Sequence, residues 1–579
     1  MSTADQNMVL VRSGYVTLFE HMGDIYAYHD LFGYILRMSQ DVADLIDAFA
    51  SPQAVVDVVQ GGRTSIEPSL AQEFVSVLLA HSCLIPVGTD ERDQVFDMYP
   101  FHGPWVLVHR KAPKEASLLT SRLGDVVEET LTGWTLAFWD AADGNRTVRE
   151  ASRVAARTIS NELLPDDEEV LATVARFVHH DRQFLRLSHH PARMYQGPLL
   201  PVPAYLRSTM PYRVRGTAPT RPIAEQRRVS ASSHYAGDSR RPYDRFDVDE
   251  TTLSHLFREP HPALDGRTFG EALLDLLASA GALGESGGRI LEVGGGTGAL
   301  GAGLVRAFNA RWPGAVKRLS WTTLDLSPAL LSSQGNALAQ FDIQHDLVAS
   351  DVESADFEPG TFDLVLCNEM IGDLTVLRLS RQEARRLLLG KGVRGVPQCD
   401  ADLLRRHPAV LRSEDLPDEF HLNVGAFRLI ESLARWLAPG GFAWVSEFGD
   451  EHRFPVLSDH LDHPEFSIHF GHLRKVAEDV GLSVRYGEVL DLLGFRRDVE
   501  VLASTRGQFL ALRSLASRHG ARIEKLAYTR DSLAAALGPH LPLQTLEGLH
   551  LDKVGHRVMG LSPGDFKALL LHKPMVQAH

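Results

Sequence analysis

The run ILEVGGGTGALGAGLV, residues 290–305, constrains this chain more than any other stretch. Ile290, Leu291 and Val293 read as a buried strand, Gly294, Gly296 and Gly298 as a tight turn, and a helix is expected from about Ala299. Such a strand–loop–helix unit needs a sheet edge to sit on, which implies an α/β domain. Nearby, LSWTTLDL, FDLVLCN, GGFAWVSEF and KALLLH are short apolar runs separated by helix-like segments, as expected of buried parallel strands.

Glycine spacing alone does not choose a ligand, because dinucleotide enzymes use similar loops. The neighbouring acids do. Glu292 lies two residues before the first glycine, where a carboxylate would repel a pyrophosphate but suits the sulfonium and ammonium of S-adenosylmethionine. Asp325 ends the next strand, 27 residues after Gly298, and can accept hydrogen bonds from both ribose hydroxyls. Ser327 is the better cap for a helix starting at Pro328, which leaves Asp325, with Leu326 beside it, for the ligand. Asp351, in LVASDVES, falls where the third strand should end and is expected at the adenine. The expected cofactor is therefore S-adenosylmethionine.

The balance of 59 Lys+Arg against 74 Asp+Glu gives −15, which argues against nucleic-acid binding driven by bulk charge. Three distant cysteines exclude a disulfide scaffold and a four-thiolate zinc site. No apolar run approaches the ~18 residues of a membrane span, and the N-terminus lacks a signal-peptide core. A cytoplasmic protein with no membrane partner is expected. The spacing His460-x2-His463-x5-His469-x2-His472 resembles a zinc pattern, but no cysteine is near and no third ligand shares the face of His469 and His472. No metal is expected.

Four regions follow from composition. Residues 12–92 carry strand-like GYVTLF and DIYAYH, then three short amphipathic helices, then CLIPV, the plan of a small winged-helix-like module. Residues 104–195 read as a degenerate second copy, with WTLAFWDAADGNR set against YILRMSQDVADLI. Residues 196–245 are an Arg/Pro-rich linker: 203–245 hold nine Arg against three acids and five prolines. Its end, SHYAGDSRRPYDRFD, could fold over the next domain. Residues 246–579 form the α/β domain, with a basic, solvated lid inserted at 373–424.

ILEVGGGTGALGAGLV, LDLSPALLSSQ, CNEMIGDL, GGFAWVSEFGD, HPEFSIHFGHL, STRGQFLALRSLA and MGLSPGDFKALLLHKP resemble, in order, the landmarks of the MidA-like methyltransferases. The resemblance covers roughly 246–574. It implies a class I Rossmann-like methyltransferase domain, preceded by the one or two α+β modules. That family includes a mitochondrial complex I assembly factor that methylates an arginine of a partner. This chain departs from the family where the acceptor should bind. It has Asn368-Glu369-Met370-Ile371-Gly372-Asp373 for the usual Asn-Glu-x-x-Asp-Ala, and Glu447-Phe448-Gly449 for Asp-Tyr-Gly.

CNEMIGDL also looks like the start of the double-glutamate loop of protein arginine methyltransferases. Carboxylates there hold a guanidinium by forked, charge-assisted hydrogen bonds. The loop's second glutamate should fall nine residues after Glu369, but Arg378 stands there, and Glu447 is the expected substitute. Asn368 is expected beside them, and the resemblance places the Ser-Ile-His-Phe segment at the substrate wall, with His469 orienting the acceptor or acting as a base.

Residues 12–92 resemble the PqqD-like leader-binding modules of ribosomal peptide biosynthesis, in which an extended peptide adds as a further strand. A packing or dimerisation module, giving a homodimer, is the other reading. DNA reading is disfavoured, because 39–60 holds no Lys or Arg. The sequence thus points to a peptide or protein methyltransferase, most simply an arginine N-methyltransferase acting on a ribosomal peptide. The alternatives are a non-catalytic assembly factor with this fold, a carboxylate O-methyltransferase and a small-molecule methyltransferase.

Overall fold

The computed structural model describes residues 7–21, 24–61, 65–122, 125–159, 165–179, 182–194, 226–236, 252–412, 416–458, 464–502, 506–523, 525–556 and 561–575. The chain divides into two compact units. The first holds Met1–Pro222 with Ala503–Ile523 and Arg530–His550; the second holds Ile223–Leu502, Glu524–Thr529 and Leu551–His579.

In the first unit one order of elements occurs twice. Strand Val9–Arg12 is followed by the antiparallel meander Val16–His21, Asp24–His29 and Tyr34–Met38, then helices Gln40–Ala48, Val55–Val59 and Pro68–Ala80. Leu84–Pro86 closes this module by pairing antiparallel with the opening strand, Leu10 opposite Pro86. The second module runs Tyr99–His102, then Leu107–Ala112, Glu115–Arg122 and Asp125–Thr132, then helices Gly133–Ala141, Val148–Thr158 and Asp167–Val178. Leu185–Ser188 closes it against the opening strand, Tyr99 opposite Ser188. The residues line up differently from the sequence alignment. YILRM holds the third meander strand, whereas WTLAFWDA belongs to the first helix of the second module.

The middle strand of the second meander is buried on both faces, including Ser117, Leu119 and Ser121. A meander with one open face would leave those residues wet. Helix Arg506–Arg518 supplies the cover: Gln508 Nε2 donates to the Val106 carbonyl at 3.3 Å, and Arg518 pairs with Glu128. Thr545, on Leu543–Glu547, meets His109 Nδ1 at 3.2 Å. Both helices fall inside the 246–579 block of the sequence and group with the N-terminal unit.

The second unit is built on a mixed sheet. We label its strands β1 Gly288–Val293, β2 Leu319–Asp325, β3 Gln344–Ala349, β4 Phe362–Asn368, β5 Leu437–Asp450, β6 Ser483–Glu488 and β7 Phe566–His572. The order is β3-β2-β1-β4-β5-β7-β6. KALLLH, expected among the parallel strands, forms most of β7 and runs antiparallel to both β5 and β6. An apolar run buried on both faces has the same composition in either direction, so the sequence could not show this. Helix α1, Ala299–Arg311, follows β1, and α2, Pro328–Leu338, follows β2 with Ser327 as its N-cap.

The insertion after β4 is not a solvated lid. Val376–Ser380 pairs with Glu419–Leu422, and Leu377, Leu379, Leu387, Leu403, Leu404 and Phe420 join the same core as the sheet residues Leu291, Val365 and Val445. Its helices carry their basic residues outward and an apolar stripe inward. Of the expected linker, 226–236 form a short strand and a helix within this unit; the rest of 196–245 lies outside the described residues. Among the described residues no helix is long and apolar enough to cross a membrane.

Candidate active site

β1 ends on buried Val293 and the chain turns sharply at the carboxyl edge of the sheet. Gly294, Gly296 and Gly298 have φ of +63°, +55° and +83°, the left-handed region that only glycine enters cheaply. Space enforces the same choice. A Cβ on Gly298 would lie 2.9 Å from Gln334 Cα, and one on Gly294 would lie 3.0 Å from Met370 Cβ. Gly298 is the N-cap of α1, so the loop delivers backbone directly into the first turn of that helix.

This loop forms one wall of a cavity of about 390 Å³. Glu292, Gly294, Gly296, Asp325, Leu326, Asp351, Asn368, Glu369 and Glu447 all line it, so the sheet edge gathers nearly every residue singled out in the sequence. Gly298 shapes the wall from behind, against α2. His469 does not line the cavity. It caps helix Phe470–Asp479, its Nδ1 accepting from the His472 N–H at 3.3 Å, and its ring stacks on His472 at 3.6 Å. Burial pushes its pKa down to about 4. The cap and the stack hold this buried ring apart from the carboxylates that line the cavity. His460 and His463 of the zinc-like spacing lie outside the described residues.

Glu292 is engaged differently from the expectation. Its Oε2 accepts from the Trp321 indole at 3.2 Å, it accepts from the Gly301 N–H, and burial pushes it up to about 7. A Cβ on Gly301 would come within 2.5 Å of Oε2, so that glycine exists for the carboxylate. Its other oxygen, Oε1, has no partner among the described residues. Asp325 accepts from the Ser327 N–H at 2.9 Å and from Gln334 Nε2 at 2.7 Å, and burial raises its pKa. Gln334 Nε2 also donates to the Gly296 carbonyl at 2.9 Å. This fully buried glutamine ties the glycine loop to the acid at the end of β2. The sequence reading missed it, although its place nearly two turns into the helix after LDLSP was the available signal.

At the other end, β4 and β5 lie side by side with Asn368 opposite Ser446. Asn368 Oδ1 accepts from the Trp444 indole at 3.2 Å and from Ser446 Oγ at 2.9 Å, while Nδ2 donates to Glu369 Oε1 at 3.1 Å. Glu369 adopts φ +54°, a left-handed conformation costly for a side-chain residue. Its carboxylate accepts from the Leu253 N–H at 2.9 Å and from the Ser254 N–H, donors at the start of helix Leu253–Leu256 that have no partner within the helix. Glu447, 1% exposed, accepts from the N–H groups of Gly372 at 3.1 Å and Phe448 at 3.0 Å. Burial pushes Glu369 up to about 7, and burial with the charges of Glu369 and Asp373 pushes Glu447 up to about 8. Arg378, standing where a second loop glutamate was sought, pairs with Glu419 inside the insertion.

Eight carboxylates line the cavity: Glu292, Asp325, Asp351, Glu369, Asp373, Glu447, Glu465 and Asp565. Among the described residues no Lys or Arg lines it. A wall of one sign raises the pKa of its own members and attracts cations.

Residues 268–442 match a protein family described as "Putative S-adenosyl-L-methionine-dependent methyltransferase". A search of curated proteins gives no match. Among solved structures the chain is similar to a Burkholderia thailandensis superfamily member described as a "likely methyl transferase", bound to S-adenosylhomocysteine. The identity is 16% over 58% of this chain and 82% of that one, with a TM-score of 0.34. A second structure from the same superfamily and organism shares 16% identity over 60% of this chain and 93% of that one, with a TM-score of 0.31. The 1,6-didemethyltoxoflavin N1-methyltransferase of that organism shares 14% over 38% and 69%, with a TM-score of 0.22. The cofactor is S-adenosylmethionine. The residues present fit it: a loop of left-handed glycines along the cavity wall, a buried Glu292 Oε1 with no partner among the described residues, and a carboxylate wall for a cationic ligand.

Proposed function

We propose that this protein, whose residues 268–442 match a S-adenosylmethionine-dependent methyltransferase family, methylates a guanidinium nitrogen of arginine in a peptide or protein. The observation that carries the reading is the cavity wall of eight carboxylates, with no Lys or Arg among the described residues that line it. A carboxylate acceptor would be repelled there, whereas a guanidinium would be drawn in and aligned.

When bound, S-adenosylmethionine supplies an electrophilic methyl group on a positively charged sulfur. The glycine loop would hold it with backbone, with Asp325 and Leu326 placed to take its ribose and Asp351 its adenine. Glu369 and Glu447 accept the guanidinium N–H groups and aim one nitrogen, since an in-line transfer depends on alignment. That nitrogen gains the methyl and loses one proton, so the acceptor keeps its single positive charge. Glu447, pushed up to about 8, is the carboxylate we assign to take the proton. Asn368 fixes Glu369 through its amide.

The first module of the N-terminal unit is the proposed recruiter. Among the described residues Tyr34–Met38 pairs as a strand with Asp24–His29 alone, and its other edge suits an extended peptide added as a strand.

The test is tandem mass spectrometry of candidate peptides incubated with the protein and the cofactor. A gain of one methyl on an arginine side chain is expected. A methyl on a carboxylate or on a small molecule would overturn the acceptor assignment, and cofactor binding without any transfer would favour an assembly factor.

Within the cofactor wall, Gln334→Leu should weaken S-adenosylhomocysteine binding about tenfold, the loss of two buried hydrogen bonds to groups that stay behind. Calorimetric titration checks it. Wild-type affinity in a folded variant would mean that Gln334 does not hold the loop.

A further inference from the structure

The cofactor motif does not account for the whole cavity wall. Ser232 and Tyr235 line it, from a segment that precedes the sheet by some 50 residues. Arg228–Val229 pairs antiparallel with Val376–Leu377 and so extends the sheet of the insertion. Arg227 forks onto Glu383, Nη1 to Oε2 at 2.7 Å and Nη2 to Oε1 at 2.6 Å. The same guanidinium donates to the Arg378 carbonyl at 2.7 Å, and the Arg378 N–H returns a bond to the Arg227 carbonyl at 2.9 Å. Ala231 N–H then donates to the Asp373 carbonyl at 3.0 Å. Helix Ser232–Ala236 follows, and Ser232 Oγ donates to Asp351 Oδ2 at 3.2 Å. The other oxygen of Asp351 accepts from the Glu353 N–H at 2.9 Å.

We infer that residues 226–236 are a strap that completes the cofactor site: Ser232 sets the orientation of Asp351 toward the adenine amino group, and the Arg227–Glu383 fork fastens the strap to the insertion. This rests on the reading that Asp351 faces adenine. Ser232 is polar enough to hold a carboxylate yet too small to reach past it, and it fixes one oxygen while Glu353 fixes the other. A carboxylate held at both oxygens presents its remaining lone pairs in a set direction, which favours a donor amino group over an acceptor oxygen. Arg227 touches no cavity atom; it is a positioning residue. The arginine holds the Glu383 carboxyl down to about 2, so the fork stays charged throughout the working pH range.

The experiment titrates the full chain with S-adenosylhomocysteine and with S-inosylhomocysteine, in which an oxo group replaces the adenine amino group. The wild type should prefer the adenosyl ligand by about tenfold or more, the scale of a donor lost against a charged acceptor. Ser232→Ala should shrink that preference severalfold. Arg227→Met and Glu383→Gln should each weaken adenosyl binding about tenfold, and their double variant should be no weaker than either, because both cut one link. Gln at position 383 retains the helix capping arrangement with Ser380, so folding is not the variable. If Ser232→Ala and both fork variants bind the two ligands as the wild type does, the strap assignment is overturned. If only the fork variants behave so, the fastening is wrong. A wild type that binds neither ligand would instead overturn the cofactor site itself.

Discussion

Replacing Glu447 by Gln should lower kcat/KM for an arginine acceptor by about 10²–10³, the scale seen when one preorganised electrostatic contact to a reacting group is removed. Gln keeps the shape but cannot accept from both the Gly372 and Phe448 N–H groups, so thermal melting and cofactor titration must show that the site survives. The pH profile is the sharper readout. Glu369 and Glu447 bind a cation only when ionised, and they ionise around 7 and 8. The wild-type kcat/KM should therefore rise from pH 6 to 9, and the upper step should vanish in Glu447→Gln. Stability should move the other way. Both carboxyls are held above their ordinary 4.5, so the folded chain keeps protons that the unfolded chain has lost. Their contribution is complete below pH 4.5 and disappears as pH rises through about 7 and 8. The melting temperature of the unliganded wild type should fall over that range more steeply than that of Glu447→Gln. An unchanged profile in the variant would remove Glu447 from the acceptor site.

Asp325→Ala is the second large effect. Two ribose hydroxyls would lose a charged acceptor, at about 1.5–3 kcal/mol each, so cofactor affinity should fall by about 10²-fold or more and transfer should cease. The same change strands the Ser327 N–H and the Gln334 amide, both buried. Asp325→Asn, which preserves the shape, separates loss of charge from loss of packing. Binding should still drop in the Asn protein while its melting temperature stays near the wild type. Asp325→Ala also distinguishes an enzyme from an assembly factor. A biological role that survives loss of cofactor binding would mean that the fold is kept for contact rather than turnover.

The strand–loop–helix at 290–305 and the acids at the ends of β1 and β2 were legible in the sequence because they follow local rules. Glycine alone enters left-handed φ cheaply, and a buried strand shows as an apolar run. Burial and direction are not local in that sense. KALLLH carries no mark of antiparallel pairing, and an insertion with nine basic residues among positions 373–412 hid the apolar stripe that joins it to the core. Side-chain convergence was further out of reach. Glu292 turns to Trp321 and Gly301, His469 to its own helix and His472, and Glu369 to the Leu253 N–H, choices made by neighbours up to 116 residues away. The sequence by itself determined the cofactor loop and most of the sheet that carries it. Only the tertiary structure decided that eight carboxylates share one wall, that Gln334 ties loop to acid, and that Ser232 reaches Asp351. Backbone conformation is fixed by each residue and its immediate neighbours, whereas a site's charge is fixed by which distant strand ends and segments packing brings together.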